Sequence, residues 1–344
     1  MGFRAPDIAI DLGTTNTLVY VKRKGIVISE PTIVVVEARD KHLVRAVGDE
    51  AALLLGRTTE ALQAILPIRD GAIQDFDTAA VLLKYFIRKA IGVNHLFNKP
   101  RVLICVPAGL PAVARKVVTE AVVNAGGKHV ILVEKPLAAA IGAGLPVYEP
   151  VGNMVVDVGG GTTDTAIVSM GGLVVAQSIH VGGEKMNDAV VNYLKKNSGM
   201  LIGDRTAEAV KIDLASAIAP EGDNRRTHVR GRDLLSARVM DVEFTAAQAH
   251  DAVLEPCMAI MASVRWVLER TPPELSADIM RNGIHLTGGA SQLFGLDRLI
   301  GSQLGIPAVL AKEPQDCTML GMGYLLENPD LLADLAHSSI NENL

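Results

Sequence analysis

Short apolar segments rich in β-branched residues alternate along the chain with longer segments whose apolar positions recur at helical spacing. In one of the longer segments, Val81, Leu82, Tyr85 and Phe86 would share one helix face. The short segments predict strands at residues 7–10, 17–21, 102–106, 130–133, 154–156, 165–169 and 284–286. The longer ones predict helices that include residues 78–91, 111–125, 187–197, 206–218 and 246–268. Alternation of this kind predicts α/β architecture.

One motif occurs twice and divides this pattern into two halves. Residues 11–15 read Asp-Leu-Gly-Thr-Thr directly after a predicted strand, and residues 157–164 read Asp-Val-Gly-Gly-Gly-Thr-Thr-Asp after another. The aspartates that open the two copies, Asp11 and Asp157, are 146 residues apart, which is about one domain length. The repeat therefore predicts two similar halves that face each other, each with a turn able to bind phosphate.

The two turns have the composition of a phosphate-binding site. Glycine permits close approach of phosphate to main-chain N–H groups, and the threonine hydroxyls would add donors. Either turn alone is compatible with an ordinary hairpin, but both at one domain's spacing indicate a nucleotide site. Asp11 and Asp157 would repel phosphate without a cation between them, so they are the candidate ligands of a hydrated Mg²⁺. The candidate phosphate-binding residues are Gly13, Thr14, Thr15 and Asn16 in the first turn and Gly159, Gly160, Gly161, Thr162 and Thr163 in the second.

Two further features could hold the rest of a nucleotide. Gly288, Gly289 and Ala290 follow a predicted strand, where small residues would let an adenine or ribose lie against the backbone. A plain connection from strand to helix would need the same glycines. Glu208 and Lys211 lie three residues apart on one helix face and could bind the ribose and the adenine edge. A surface ion pair would have the same spacing.

Length and composition fit two packed domains in a cytosolic protein. The chain has 344 residues, enough for about two domains of ~150 residues each. A content of 49% hydrophobic and 21% charged residues excludes a disordered chain, and a net charge of −5 argues against nucleic acid as a partner. No apolar run reaches the ~18 residues that span a bilayer, and no signal peptide is expected. Three cysteines without metal-ligand spacing predict reduced thiols and a cytoplasmic location.

The order of these motifs, two phosphate-binding turns followed by a glycine pair for adenosine, resembles that of the superfamily of actin, sugar kinases and heat-shock-chaperone ATPases. Within it, the chain is similar over nearly its full length to the MreB family of bacterial actin-like, cell-shape-determining proteins. The stretches that carry the resemblance are residues 10–18 (IDLGTTNTL), 101–107 (RVLICVP), 136–146 (PLAAAIGAGLP), 157–163 (DVGGGTT), 201–203 (LIG) and 286–289 (LTGG).

The resemblance implies an actin-like α/β fold with two pseudo-symmetric lobes, each with a smaller inserted subdomain. The implied first lobe comprises residues 1–32, 66–145 and 315–344, with an insertion at 33–65. The second comprises residues 146–181 and 246–314, with an insertion at 182–245. ATP with Mg²⁺ would lie in the central cleft. The resemblance also implies homopolymeric filaments at the inner face of the cytoplasmic membrane, which position cell-wall elongation proteins and so determine rod shape.

One position departs from the family pattern. The family carries a glutamate directly before the proline that opens its Ala-rich helix, and that glutamate polarises the attacking water; here the segment reads Val133-Glu134-Lys135-Pro136. A protonated lysine, with a reference pKa of ~10.4, cannot act as a base. Lys135 is therefore expected to pair with the γ-phosphate or with Asp157, and hydrolysis is expected to be slow. Glu134 would need a local shift to take over, because neighbouring side chains of an extended segment point to opposite faces. Alternatively, Lys135 is only solvated and Asp157 alone organises the water.

Leu96 and Phe97 form an apolar pair inside an otherwise polar segment, residues 91–100. In the resembling family an apolar loop at this place inserts into the bilayer, so both residues are candidate membrane contacts. One subunit would bind weakly, but many would act together along a filament. The same side chains could instead cover the core beneath the loop.

Three other functions share the nucleotide-binding features. A small-molecule kinase of the same superfamily would need an aspartate base beside a sugar pocket, and no such feature is found beyond the aspartates of the phosphate turns. A chaperone would need a peptide-binding domain after the ATPase half, which is not expected here. A filament that positions organelles or plasmids would share every feature named, and only the resemblance to the cell-shape branch speaks against it.

Overall fold

The protein is described by a computed structural model over residues 6–56, 60–92 and 99–332. All seven predicted strands and all five predicted helices are present, with ends within four residues of those predicted. The strands are β1 (Ile8–Leu12), β2 (Asn16–Val21), β3 (Gly25–Pro31), β4 (Val34–Glu37), β5 (Asp40–Val47), β6 (Leu62–Ile65), β7 (Ile68–Arg69), β8 (Ala72–Ile73), β9 (Arg101–Val106), β10 (Lys128–Glu134), β11 (Asn153–Val158), β12 (Thr163–Ser169), β13 (Gly172–Ile179), β14 (Met200–Leu201), β15 (Arg226–Asp233), β16 (Val239–Thr245), β17 (Ile284–Thr287) and β18 (Ala308–Leu310). The helices are α1 (Asp49–Leu54), α2 (Phe76–Ile91), α3 (Ala112–Asn124), α4 (Lys135–Gly142), α5 (Gly183–Ser198), α6 (Asp204–Leu214), α7 (Ala246–Glu269), α8 (Pro273–Asn282), α9 (Leu296–Leu304) and α10 (Cys317–Glu327), and a 3-10 helix spans Gly289–Gln292.

Two five-stranded sheets share one topology, with strand orders β10-β9-β1-β2-β3 and β13-β12-β11-β17-β18. In each sheet the central strand pairs antiparallel with the strand that follows it and parallel with a strand reached through a longer connection. The register repeats as well, because Leu12 lies opposite Thr17 and Val158 lies opposite Thr163. The repeat in the sequence is therefore a repeat in the fold, and each sheet forms the centre of one lobe.

Each lobe has its own apolar core between its sheet and its helices. In the first lobe, Phe86 of α2 belongs to one buried cluster with Ile10 of β1. In the second lobe, Ile260 of α7 belongs to a cluster with Val156 of β11. These positions lie on the apolar faces that the sequence pattern predicts, and burial of such faces is the main force that fixes helices on a sheet.

Two smaller sheets lie in the stretches predicted as insertions, with strand orders β5-β4-β6 and β14-β15-β16. The boundaries of the lobes and insertions stay predictions. One predicted helix end is wrong, because the helix expected over residues 206–218 ends at Leu214 and Ala215 is extended, with φ −72° and ψ 146°. The next residues pair with another segment instead, since Ala217 N donates to Phe294 O at 2.8 Å.

Two short helices, α4 and α10, pack between the lobes. They cross so closely that a Cβ atom on Gly142 would collide with Cys317 O, and one on Gly321 with Ala138 O. Only glycine allows two backbones to approach in this way. Ala138 also joins a buried cluster with strands of the first sheet, whereas Ala139 joins a cluster with strands of the second. The first turn of α4 is therefore held in one place between the two lobes.

Among the residues that the structure describes, no helix is both long enough and apolar enough to cross a membrane. The candidate membrane contacts, Leu96 and Phe97, lie outside the described residues. Their segment connects α2, which ends at Ile91, to β9, which begins at Arg101.

Candidate functional site

The two turns predicted to bind phosphate have equivalent backbone geometry. Gly13 N donates to Asn16 O at 3.1 Å, and Gly159 N donates to Thr162 O at 2.9 Å, so one matching hydrogen bond closes each turn. The first turn connects β1 to β2 and the second connects β11 to β12, which places each at the end of the central strand of its sheet. The repeat thus produces the same turn at the same position in both lobes.

The turns face each other directly across the boundary between the lobes. A Cβ atom on Gly160 would collide with Thr15 Oγ1, and one on Gly161 would collide with Thr14 Oγ1. Packing of one turn against the other therefore requires glycine at these positions, independently of any ligand. The structure brings together two sets of residues that are far apart in the sequence.

The threonine hydroxyls of the second turn are engaged within the protein. Thr162 Oγ1 donates to Asp164 Oδ2 at 3.0 Å, and Thr163 Oγ1 donates to Val181 O at 2.7 Å. Both side chains are buried. These two hydroxyls therefore shape the turn, and their assignment to phosphate stays a prediction. In the first turn, Thr15 and Asn16 are exposed, and Thr15 Oγ1 donates to Glu184 Oε1 at 3.4 Å.

One lysine and three carboxylates lie where the lobes join. Lys135 Nζ is 2.9 Å from Asp11 Oδ1, and the two side chains are only 13% and 14% exposed. The ion pair is thus formed with Asp11, and not with Asp157, the protein partner that we expected. Asp157 and Asp164 are buried nearby and interact with the same lysine charge.

Burial and charge act in opposite directions on these groups. Burial alone would lower the pKa of Lys135, but the charges of Asp11 and Asp157 outweigh burial and raise that pKa, so the lysine stays protonated. Burial raises the pKa of Asp157 to about 7, against the opposing charge of Lys135 and with a further contribution from Asp164. Burial also raises the pKa of Asp164. The cluster therefore combines one protonated lysine with two carboxylates, Asp157 and Asp164, that ionise reluctantly.

Two residues that the sequence patterns did not single out complete this cluster. Asp164 Oδ1 accepts a hydrogen bond from Ala108 N at 3.1 Å, which links β12 of the second lobe to the segment after β9 of the first. Thr287 Oγ1 donates to Asp157 Oδ1 at 2.9 Å. The available signal for Asp164 was its place at the end of the second copy of the repeated motif, residues 157–164, and that for Thr287 was its position before Gly288.

Glu134 pairs with a different element from the lysine beside it. Its Oε1 accepts from Arg115 Nη2 of α3 at 2.8 Å, while Lys135 contacts Asp11 of β1. The two neighbouring side chains diverge, as the alternation of an extended segment predicts. Glu134 is therefore occupied by Arg115 and would have to release it before acting as a base.

The candidate adenosine-binding residues come together in the second lobe. Lys211 Nζ donates to Gly183 O at 3.2 Å and lies 3.0 Å from Glu208 Oε2. A Cβ atom on Gly183 would lie 3.4 Å from both Ala290 Cβ and Lys211 Nζ, so α5, α6 and the 3-10 helix that begins at Gly289 converge here. Lys211 is buried whereas the Glu208 side chain is 47% exposed, so the pair lies at the edge of the site with its lysine end turned inward. Gly288, with φ 84°, has a backbone conformation that favours glycine.

The carboxylates of the cleft fit a hydrated Mg²⁺ that takes most of its ligands from elsewhere. Asp11 Oδ1 is buried and forms no well-directed hydrogen bond, although Lys135 Nζ lies beside it. Mg²⁺ needs only one or two protein carboxylates when water and phosphate oxygens supply the rest. Within residues 6–56, 60–92 and 99–332, no group of three or more His, Cys, Asp or Glu residues could hold a metal by itself. A metal here would therefore depend on a phosphate ligand.

Comparisons with known proteins agree with this geometry. A family model described as MreB/Mbl protein matches residues 5–334. The cell shape-determining protein Mbl of Bacillus subtilis (strain 168) is 45% identical over 328 residues, which cover 95% of this chain and 98% of Mbl. The cell shape-determining protein MreB of Escherichia coli (strain K12) is 42% identical over 333 residues, which cover 96% of each chain.

Solved structures show the same fold. MreB5 of Spiroplasma citri bound to AMPPNP matches with a TM-score of 0.89 at 30% identity and covers 100% of both chains. The same protein bound to ADP matches with a TM-score of 0.88 at 31% identity, over 95% of this chain and 99% of that one. The fold is actin-like, and the chain belongs to the MreB/Mbl family.

Proposed function

We propose that this chain binds ATP between its two glycine turns and assembles into actin-like filaments that help determine rod cell shape by organising cell-wall synthesis. The observation that supports this most is the pair of equivalent turns, closed at Gly13 and Gly159, that face each other across the lobe boundary. The MreB5 structures bound to AMPPNP and ADP support a nucleotide as the ligand. The cell-shape role rests on the names of the relatives.

Each part of the nucleotide has its own group of residues in this proposal. The phosphates would lie against the main chain of the two turns, with exposed Thr15 and Asn16 on the first. Adenosine would lie against Gly288–Ala290, with Lys211 and Glu208 at the ribose and the adenine edge. Mg²⁺ would be held through water by Asp157 and Asp11, and it would neutralise charge on the phosphates.

Hydrolysis of the bound ATP is proposed to be slow. Lys135 is protonated beside Asp11, and Glu134 is engaged by Arg115, so Asp157 is left to orient the attacking water. A general base typically accelerates such a step by ~10²–10⁴-fold. Lys135→Glu is therefore expected to raise the rate of phosphate release by at least ~10-fold. Equal rates in the wild type and the variant would contradict this part of the proposal.

The filaments are proposed to be cytoplasmic and peripheral at the inner membrane face, with Leu96 and Phe97 as the contacts. Leu96→Ser combined with Phe97→Ser should leave filaments intact and abolish co-flotation with liposomes. Val113→Ser, at an exposed position of α3, is the matched control and should float like the wild type. Flotation that persists in the double variant would reject this contact.

Sedimentation tests the proposal as a whole. The purified chain is centrifuged with Mg-ATP, with Mg-AMPPNP and without nucleotide. Pelleting with both nucleotides, but not without, is expected if assembly requires binding and not hydrolysis. If the chain stays in the supernatant under all three conditions, it does not assemble on its own, and the self-polymerising function is wrong.

A further inference from the structure

The cleft between the two turns contains a cation of its own. Lys135 Nζ lies 2.9 Å from Asp11 Oδ1, and both side chains are largely buried. Asp157 and Asp164 are close enough to interact with the same ammonium group. Carboxylates in this position would repel the phosphates of a nucleotide, and a metal ion ordinarily offsets this repulsion. In this chain a lysine offsets that charge before any metal binds.

The backbone that carries this lysine is fixed on both sides. β10 ends at Glu134, and Lys135 begins α4, with Pro136 in the first turn of the helix. One turn further on, Ala138 O packs against Gly321 at the crossing with α10. The helix cannot slide without opening that crossing, so only the side chain of Lys135 can move. Its flexible four-carbon stem allows the ammonium group to turn from Asp11 towards a nearby phosphate.

We propose that Lys135 is a built-in counter-ion for the terminal phosphate, so that the cleft accepts metal-free nucleoside triphosphate with little dependence on Mg²⁺. The inference rests on the proposed ATP site and adds the ionic form of the ligand. Lys135 has two states in this scheme. Without nucleotide it neutralises Asp11, and with nucleotide it shares its charge between Asp11 and the phosphate.

The test measures the dissociation constant of fluorescently labelled ATP for the full chain in excess Mg²⁺ and in EDTA. The wild type is expected to lose less than ~5-fold in affinity on removal of the metal. Lys135→Met removes the cation without adding an anion. On removal of the metal, its affinity for labelled ATP is expected to fall by ~10–100-fold, the range that a hydrogen bond between charged groups provides. Lys135→Glu should lose still more, because it adds a carboxylate beside Asp11. Lys128→Met, at an exposed position of β10, is the matched control and should behave like the wild type.

The outcomes separate this inference from the function on which it rests. A wild type that loses as much affinity in EDTA as Lys135→Met would overturn the counter-ion role while leaving the ATP site in place. Absence of labelled-ATP binding in every protein, with or without Mg²⁺, would reject the ATP site itself. Thermal unfolding of each variant shows whether it is folded, and if Lys135→Met does not fold, Lys135→Gln takes its place with the same expected loss.

Discussion

The first and second turns have the same backbone but different electrostatic surroundings. The aspartate before the first turn, Asp11, forms an ion pair with Lys135 at 2.9 Å. The aspartate before the second turn, Asp157, forms no ion pair within 4 Å among the described residues; it accepts a hydrogen bond from Thr287 and is buried near Asp164. The two lobes therefore repeat their geometry and divide their charges unequally.

This difference shows which features follow from an internal repeat and which do not. Strand order, register and turn closure depend on backbone and short-range sequence, and both copies retain them. The partners differ even where the fold repeats, because Lys135 begins the helix between the lobes and Thr287 ends β17, the strand of the second sheet that corresponds to β9 of the first. The unequal neighbours place the first aspartate in an ion pair and make the second a group whose charge is costly.

The largest expected effect is the difference in stability between two single variants that carry the same substitution, one at each aspartate. Asp11→Asn leaves Lys135 without its nearest partner, and an uncompensated buried charge typically costs about 3–5 kcal/mol. We expect a loss of about 3 kcal/mol in the free energy of unfolding, measured by urea titration without nucleotide at pH 8. Asp157→Asn keeps an oxygen that Thr287 can donate to and removes a carboxyl whose ionisation is costly, so it should not lower the free energy of unfolding at this pH.

A surface ion pair provides the control for that experiment. Glu120→Gln breaks the contact with Lys116, which is 3.9 Å long and exposed, and should cost less than about 0.5 kcal/mol. If Asp11→Asn is no more destabilising than Glu120→Gln, the Lys135 ion pair does not stabilise the fold, and the proposed difference between the two turns is wrong.

The next effect tests the contact between the turns. Gly161→Val places a side chain on Thr14 Oγ1, and overpacking of this kind costs about 1–3 kcal/mol. ATP affinity, measured by isothermal titration calorimetry, should fall by about 10–100-fold if the cost appears in the bound state. Adding Thr14→Ala removes the colliding atom and should restore part of the affinity. Gly172→Val, where no atom lies within 4 Å of an added Cβ, should bind ATP like the wild type.

The sequence predicted much of the fold because its signals are local. Apolar runs located seven of the ten strands of the two large sheets, all except β3, β13 and β18, and the repeated Gly-Thr turns located the site between the lobes. The end of α6 was predicted four residues too late, because the pairing of Ala217 with Phe294 is a tertiary contact that helical periodicity does not report. The close crossing of α4 and α10 at Gly142 and Gly321 likewise has no signal in either segment alone.

The chemistry of the site was less predictable than its position. The sequence showed a lysine at position 135, where the family carries glutamate. It did not show which carboxylate the lysine pairs with, because Asp11 and Asp157 both end central strands and are equivalent in the sequence. The hydroxyls of Thr162 and Thr163 were assigned to phosphate on the basis of residue type, and the structure shows them bonded within the protein. Residue type indicates what a side chain can do, whereas its neighbours decide what it does.

A third prediction follows from the raised pKa of Asp157, about 7 in the folded protein and ~3.9 in the unfolded chain. Between these values the folded state keeps a proton that the unfolded chain has lost, so stability falls as pH rises. At about 1.4 kcal/mol per pKa unit, this group should remove about 2 kcal/mol between pH 5 and pH 7 without nucleotide. Asp157→Asn should lack this contribution, and urea unfolding at pH 5, 6 and 7 measures the difference. Parallel pH profiles of the two proteins would show that Asp157 is charged throughout.

The smallest effect is expected at Glu134, the residue before Lys135, whose side chain pairs with Arg115 of α3 and not with the carboxylates of the cleft. Its ion pair with Arg115 is about one-quarter exposed, so Glu134→Gln should cost less than about 1 kcal/mol. Phosphate release from ATP should stay within about twofold of the wild type, because Arg115 and not the cleft engages this carboxylate. If Glu134 instead replaced the missing base beside Lys135, its loss would slow phosphate release by ~10²-fold or more. The same substitution in the Lys135→Glu protein sharpens the test, since a base restored at position 135 should make Glu134 irrelevant to the rate in either case.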